Sequence, residues 1–104
     1  MNDNAFEKEI VAKGLTAPRI TADQIEELCG SLTIQTHHFA GTTSTVAIAS
    51  LPNGFVVGVG HSASVSPANF DADIGARIAT QDALAKARKK LWELEGYALK
   101  KQLA

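Results

Sequence analysis

The amino-acid sequence predicts an α+β two-layer sandwich, in which a three-stranded antiparallel meander packs against a long C-terminal helix and a short N-terminal helix. Three observations predict it: a capped helix start before the first strand, an Asn-Gly turn between two apolar runs, and a helical periodicity over residues 70–94. The predicted order of elements is α-α-β-β-β-α. A chain of 104 residues has the usual length of one domain.

The composition is that of a small globular protein and argues against several classes. Hydrophobic residues make up 45% of the chain and the net charge is −1, whereas a domain that mainly binds nucleic acid is usually basic. No apolar run approaches the roughly 20 residues that span a bilayer, so no membrane contact is expected. The single cysteine, Cys29, allows no internal disulfide, and the acidic N-terminus lacks the order of a signal peptide. We expect a soluble, cytoplasmic protein.

The first two helices are predicted on either side of a domain boundary. Residues 1–19 are predicted to be an N-terminal arm with a short helix over 4–13, and residues 20–104 a single domain. At the start of that domain Thr21 and Gln24 have the spacing of a capping box, which predicts a helix over 22–29.

Three runs rich in β-forming residues predict the strands of the meander. They cover residues 33–39, 44–51 and 55–62. Asn53-Gly54 stands between the second and third runs, and this dipeptide favours a type I′ turn with a two-residue loop. That loop pairs Leu51 with Val56 and fixes the register of the whole hairpin.

The predicted register gives the hairpin two unlike faces. The bulky face carries Val46, Ile48, Ser50, Val57, Val59 and His61. The flat face carries Ala47, Ala49, Gly58 and Gly60, with Leu51 and Val56 at the turn end. We expect the bulky face to be the core. The flat face either admits a close neighbour or is simply weak surface.

A long helix is predicted over residues 70–94, with a break or tail at Gly96-Tyr97. Asn69 is its predicted N-cap, and Asp71 and Asp73 place negative charge in the first turn, where the helix dipole is positive. At about 100° per residue, one apolar sector is predicted to face the sheet. Its residues are Ile74, Ile78, Leu84, Ala85, Leu91 and Trp92.

The candidate binding residues are Arg77, Gln81, Arg88 and His61. Arg77, Gln81 and Arg88 project into the apolar sector of the helix, where two guanidinium groups and an amide would suit a carboxylate or phosphate ligand. The alternative is that these long side chains run along the sheet edge with their polar ends in water. His61 is predicted near the end of its strand. A structural, hydrogen-bonded histidine is a simpler interpretation of this position than a catalytic one.

No metal, cofactor or catalytic site is predicted. His37 and His38 are adjacent on a strand, so their side chains point to opposite faces and cannot share one ion. The glycine-rich GVGHSAS stretch at 58–64 lacks both the G-x-G-x-x-G spacing and a Walker lysine. We therefore expect a protein that is not an enzyme.

The stretch from Leu51 to Tyr97 resembles a known family of small tailed-phage proteins, the gene-49/gene-66-like phage family. The resemblance rests on Asn53-Gly54-Phe55, on Pro67 to Asp71 in a P-x-N-F-D pattern, on Ile74-Gly75, and on Trp92 to Tyr97 in a W-x-L-E-G-Y pattern. The chain departs from the pattern in having His61 and Ser64 where an acidic residue and often a cysteine are expected. The resemblance covers residues 20–100 and implies phage or prophage origin, but no chemistry.

These observations predict a non-enzymatic phage or prophage accessory protein that binds a host component, most simply a host protein, and inhibits or redirects it. One alternative is a double-stranded nucleic-acid-binding domain, because helix, meander, helix is also the order of double-stranded-RNA-binding domains. A second alternative is a small anionic-ligand binder, such as a nucleotide-binding protein, that uses Arg77, Gln81 and Arg88. Homo-oligomerisation is a further expectation, since Trp92, Leu94, Tyr97 and Leu99 leave more apolar surface than one short sheet covers.

Overall fold

A computed structural model describes residues 3–104. Its three strands form an antiparallel sheet in the order β1-β2-β3, and the predicted α+β arrangement is confirmed. Within the described part of the chain, no helix is both long and apolar enough to cross a membrane. The elements are α1 (Asp3–Ala12), α2 (Ala22–Gly30), β1 (Thr33–His38), β2 (Thr45–Ser50), β3 (Val56–Ser62), a 3₁₀ turn (Pro67–Asn69) and α3 (Ala72–Leu103).

Helix α2 begins with the predicted capping box. The Thr21 hydroxyl accepts a hydrogen bond from the Gln24 N–H at 3.2 Å, and the Gln24 side chain accepts one from the Thr21 N–H at 2.8 Å. Two backbone donors at the helix end are thereby satisfied, and Ile25 is oriented into the core, where it is fully buried.

The turn between β2 and β3 differs from the predicted one. Gly54 donates its N–H to the Leu51 carbonyl at 2.8 Å and has a φ of +88°, while Asn53 keeps a negative φ. A type I′ turn is therefore wrong. Pro52 presets the φ that the second position of a type I turn requires, so the turn begins one residue earlier and Gly54 follows it in the left-handed region.

The hairpin register is the predicted one except at the turn. Ser50 pairs with Val56 through an irregularity at Ala49/Ser50, so Leu51 does not pair with Val56. The extra residue places both Val57 and Gly58 on the buried side of β3. The pairs that match the prediction are Val46–His61, Ala47–Gly60, Ile48–Val59 and Ala49–Gly58.

The face of the sheet that is buried is the flat one, so the predicted inside and outside are exchanged. Ala47 and Ala49 are fully buried, whereas Val59 on the bulky face is 51% exposed. Gly58 and Gly60 explain why. A Cβ on either glycine would overlap the backbone carbonyl of Ala83 or Ala79 in α3. The helix therefore lies too close to the sheet for any side chain at these positions.

Helix α3 meets this flat face with a stripe of small residues. Ala79, Ala83, Ala87 and Leu91 are its buried residues, spaced four apart. The predicted apolar sector is wrong for Ile74 and Ile78, which are half exposed, because the sheet leaves no room for large side chains. The whole core cluster is Ile25, Ala47, Ala49, Val57, Ala79, Ala83, Ala87 and Leu91.

Both ends of α3 also differ from the prediction. Asp71 is the N-cap, since its carboxylate accepts the Ile74 N–H at 2.9 Å, whereas Asn69 lies in the preceding 3₁₀ turn. Pro67 starts that turn and moves the helix start beyond Asn69. The helix continues through Gly96 to Leu103, so the predicted break is absent from the described chain.

Candidate functional site

The bulky face of the sheet has no overlying element among the described residues and is called the outer sheet face below. Cross-strand pairing arranges it in two rows, one from each set of opposed residues. The first row is Gln35, Ile48 and Val59, and the second is His37, Val46 and His61. Helices α2 and α3 lie on the opposite side of the sheet, because only the face built of alanine and glycine lets a helix come close.

The chemistry of the outer sheet face is apolar and neutral. Val59 of the edge strand β3 is half exposed, and Val46 and Ile48 of the central strand β2 are partly exposed beside it. The imidazole rings of His37 and His61 lie at the two ends of one row. His37 also makes an edge-to-face contact with Phe39, with ring centroids 4.6 Å apart. The face therefore offers apolar contact area flanked by the hydrogen-bonding imidazole groups of two histidines.

His61, a predicted site residue, is fixed by two contacts. Its Nε2 lies 2.9 Å from the Ser44 hydroxyl, and its backbone N–H donates to the Asp82 carboxylate at 3.0 Å. Asp82 also accepts a hydrogen bond from Lys86 at 3.0 Å. The Lys86 ammonium, and then the His61 N–H, hold the pKa of the Asp82 carboxyl below its ordinary value. The carboxylate thus covers part of the free edge of β3.

Arg77 and Arg88 do not share a partner in the folded chain. Arg77 forms an ion pair with Asp73 one helical turn earlier at 3.1 Å, and Gln81 is exposed on the same helix. Arg88 lies between two carboxylates, Glu26 of α2 at 2.5 Å and Asp3 of α1 at 3.3 Å. Glu26, and to a lesser degree Asp3, raise the pKa of the Arg88 guanidinium. Its charge is already balanced, and it joins three helices.

The P-x-N-F-D stretch lines a small cavity beside the start of α3. The cavity has a volume of about 70 Å³, and its polar walls include Thr43, Ser64, Asn69 and Asp71. Phe70 forms another wall and stacks on His38, with ring centroids 4.5 Å apart. This stack joins the 3₁₀ turn to β1. No periodic pattern in the sequence predicts it, because His38 and Phe70 are far apart in the chain.

Behind the Gly75 wall of this cavity lies an unsatisfied buried hydroxyl. Thr45 is 3% exposed, and its Oγ1 has no hydrogen-bond partner within residues 3–104. A Cβ on Gly75 would come within 3.1 Å of that Oγ1. The neighbouring Ser62 hydroxyl, in contrast, donates to the Gly75 carbonyl at 2.6 Å. Two buried hydroxyls therefore face one glycine, and one of them lacks a partner.

A second, larger groove lies between α1 and α3. Its volume is about 520 Å³, and its apolar wall is formed by Phe6, Ile10, Ile20 and Trp92. The arm that carries α1 is held across this groove by ion pairs. Arg19 forms a bidentate pair of hydrogen bonds with the Glu7 carboxylate, at 2.9 and 3.0 Å. These bonds, together with the one from the Ala22 N–H, lower the pKa of the Glu7 carboxyl.

Metal and thiol chemistry find little support in the described residues. Residues 3–104 contain no group of three His, Cys, Asp or Glu side chains placed to hold a metal ion. Cys29 is partly buried beside the core, and this burial raises the pKa of its thiol and favours the protonated form.

The outer sheet face is the feature that sequence reasoning missed, because its valines and isoleucine were assigned to the core. The signal was present in Gly58 and Gly60. Two glycines on one face of a strand mark the close approach of another backbone, which the bulky face does not allow.

Comparison with known proteins gives a family and nothing finer. No curated protein and no solved structure matches the chain. The profile of one family matches residues 20–103, which include α2, β1 to β3, the 3₁₀ turn and α3. The chain therefore belongs to the Phage protein (N4 Gp49/phage Sf6 gene 66) family.

Proposed function

We propose that this phage protein is a non-enzymatic accessory protein that binds a host protein in the bacterial cytoplasm through its outer sheet face and so inhibits or redirects it. The single observation that carries the proposal is the exposure of Val59, at 51%, on an open sheet face beside Val46 and Ile48. An uncovered apolar patch with a polar rim is typical of a protein-binding surface.

The charge of the face favours a protein partner over a nucleic acid. None of its six residues, Gln35, His37, Val46, Ile48, Val59 and His61, is a lysine or arginine. Double-stranded-RNA-binding domains present lysines at the start of the last helix, whereas α3 begins with Asp71 and Asp73. The shared order of elements is thus the main support for the nucleic-acid alternative.

The surroundings of His61 favour binding over hydrolysis. Its ring lies 2.9 Å from the Ser44 hydroxyl, which is the distance of a nucleophile and its base. The adjacent carboxylate of Asp82, however, accepts the His61 backbone N–H and the Lys86 ammonium, so it does not orient the ring. A triad needs a third group in that orienting role.

The test is reconstitution with an identified host partner, compared across two variants. Val59→Glu places a charge on the outer sheet face, and Ile78→Glu places one on α3 at a residue of nearly equal exposure, 50%. We expect Val59→Glu to weaken binding of the purified partner at least about tenfold, while Ile78→Glu leaves it unchanged. Equal affinity of wild type and Val59→Glu for every partner captured from host lysate would overturn the proposal.

A second candidate, binding of a small anionic ligand, draws support from a place other than the predicted one. Arg88 is already neutralised by Glu26 and Asp3, but the cavity beside Asn69 and Ser64 has polar walls and an unpartnered Thr45 hydroxyl behind it. At about 70 Å³ it admits only one polar group of a ligand, whose remainder would lie outside. A nucleotide that raises the melting temperature of wild type but not of Asn69→Ala would favour this candidate.

A further inference from the structure

Helix α3 extends far beyond the sheet on which it packs. Its 32 residues rise about 48 Å, while strands of six or seven residues span roughly 20 Å. The polar contacts that anchor α3 to the rest of the chain come from Gly75, Asp82 and Arg88, and the core ends at Leu91 and Trp92. The residues from 93 to 103 thus form a helical extension.

One side of this extension is an apolar seam. Trp92, Gly96, Leu99 and Leu103 fall within a sector about 60° wide at roughly 100° per residue, and these four residues are called the C-terminal seam below. Leu103 is 58% exposed. Most helical stability in proteins comes from the packing of an apolar face, and Leu99 and Leu103 lie beyond the core that the described residues form, so the seam needs a partner.

Gly96 indicates what kind of partner the seam accepts. A glycine within a helix costs about 1 kcal/mol relative to alanine. A Cβ at Gly96 would meet open space among the described residues, so packing within the chain gives no reason for the missing side chain. A glycine in an apolar seam allows a second helix to approach closely.

We propose that the C-terminal seam binds the same seam of a second copy of this chain, with the two helices antiparallel about a twofold axis between Gly96 and Leu99. This register places each Leu99 over the Gly96 of the other copy. It also places each Leu103 against the Trp92 of the other copy. In the two layers next to the axis a small residue thus meets a large one, and in the two outer layers a leucine meets a tryptophan.

The charged residues and the groove that lie beside the seam are consistent with the same twofold axis. Glu93 and Lys100 lie on one flank of the seam, and a twofold axis keeps that flank together, so each Glu93 lies beside the Lys100 of the other copy. The apolar groove of Phe6, Ile10, Ile20 and Trp92 opens next to the position that Leu103 of the second copy would take. The groove therefore receives the end of that helix.

The chain's own sequence favours a second copy over an unrelated helix. An antiparallel pair joins opposite charges and fills the space above Gly96 with a leucine. A parallel pair would instead put the two Glu93–Lys100 flanks on opposite sides, so that these charges do not meet, and would place Gly96 beside Gly96, leaving a gap. The inference does not depend on the proposed host partner, because the seam and the outer sheet face are different surfaces.

Sedimentation equilibrium of the full chain, from low to high micromolar concentration, tests the pairing. We expect a dimer for wild type, a dissociation constant raised at least about tenfold for Leu99→Glu, and no change for Leu94→Glu on the opposite side of the same helix. A wild-type monomer over the whole range, or a dimer lost in Leu94→Glu but kept in Leu99→Glu, would overturn the proposal.

A charge exchange tests the antiparallel register without disturbing the seam itself. Glu93→Lys should weaken the dimer by placing two like charges together, and Lys100→Glu should do the same. The double variant with both exchanges should recover most of the lost affinity, since it restores opposite charges across the axis. Additive losses in the double variant would show that Glu93 and Lys100 of the two copies do not meet.

Discussion

The two faces of the sheet are built from residues of different size, and they differ in burial. In the hairpin of β2 and β3 the inner face is built mainly of alanine and glycine and is buried, while the outer face carries valine, isoleucine and histidine and remains open. Side-chain size would suggest the reverse. The difference teaches that backbone approach sets which face is the core here, because α3 lies so near β3 that only Gly58 and Gly60 fit between them.

The close approach has a consequence for how the small core is stabilised. Its buried side chains are mostly alanine methyl groups, with Ile25 and Leu91 as the largest fully buried ones. Small side chains bury little area each, so stability depends on many contacts at short range. A change that separates the two layers should therefore cost more than its own volume suggests, and one on the outer face should cost little.

The largest effect is expected for Gly60→Ala. The added Cβ would overlap the Ala79 carbonyl and contact the Ala83 backbone, so the whole helix must move away from the sheet. We expect a loss of roughly 3 kcal/mol or more in the free energy of unfolding, above the usual range for overpacking because backbone cannot yield as a side chain does. Denaturant unfolding measures it.

Gly30→Ala is the matched control for this prediction. A Cβ at Gly30 meets no atom within 4 Å among the described residues, and its φ is not positive. The free energy of unfolding should stay within about 1 kcal/mol of wild type. A Gly60→Ala protein as stable as Gly30→Ala would contradict the account of the inner face.

A smaller effect is expected for Ala83→Val, compared with Ala85→Val. Ala83 is fully buried against the sheet, whereas Ala85 is exposed on the same helix. Both variants lose similar helix propensity, so their difference isolates packing. We expect Ala83→Val to be less stable than Ala85→Val by about 1–3 kcal/mol in thermal or denaturant unfolding. Equal losses of stability in the two variants would mean that the sheet and α3 can move apart without a cost in free energy.

Thr45→Val tests whether the inner face has an unsatisfied polar group. Its Oγ1 is buried without a partner in the described chain, and valine has nearly the same shape. Removing an unpaired buried hydroxyl should leave stability unchanged or raise it by about 1 kcal/mol. A clear loss of stability would show instead that the hydroxyl has a partner in solution, such as a bound water or ligand.

Val59→Thr is the corresponding change on the outer sheet face. Val59 is half exposed, and threonine retains the β-branched shape that strands favour. We expect the free energy of unfolding to change by less than about 0.5 kcal/mol. A loss as large as that of Ala83→Val would mean that the outer face is covered in solution, for example by another copy of the chain.

The sequence was sufficient where the determinants are local. The capping box of Thr21 and Gln24 and the pairing of Ala47 with Gly60 depend on neighbours a few residues apart, and both were predicted correctly. The prediction failed where a distant backbone decides. The inside of the sheet depends on how near α3 lies, and a helical wheel that favours large residues assigns Ile74 and Ile78 to a face with no room for them.

The candidate site followed the same division. His61 was placed on the bulky face at the end of its strand, as the period of two requires, but that face proved to be the outside. Arg88 was predicted from the wheel as an anion ligand. Its carboxylate partners Asp3 and Glu26 are far away in sequence, so no periodicity reveals them. The role of Arg77 and Gln81 in binding stays a prediction.

The smallest expected effect concerns the edge where the two faces meet. The Asp82 carboxylate accepts the His61 N–H of β3, and its pKa is lowered first by Lys86 and then by this N–H. A lowered pKa in the folded state stabilises the protein at pH values above the unfolded-state pKa, and this contribution is lost as the pH falls through the folded-state pKa.

Asp82→Asn should therefore be slightly less stable than wild type at neutral pH, with a difference that shrinks below about pH 4. Melting temperatures of both proteins across this range measure it. Because the pair is solvent-exposed, the difference should also narrow at high salt, and a difference that grows toward acid would contradict the assignment.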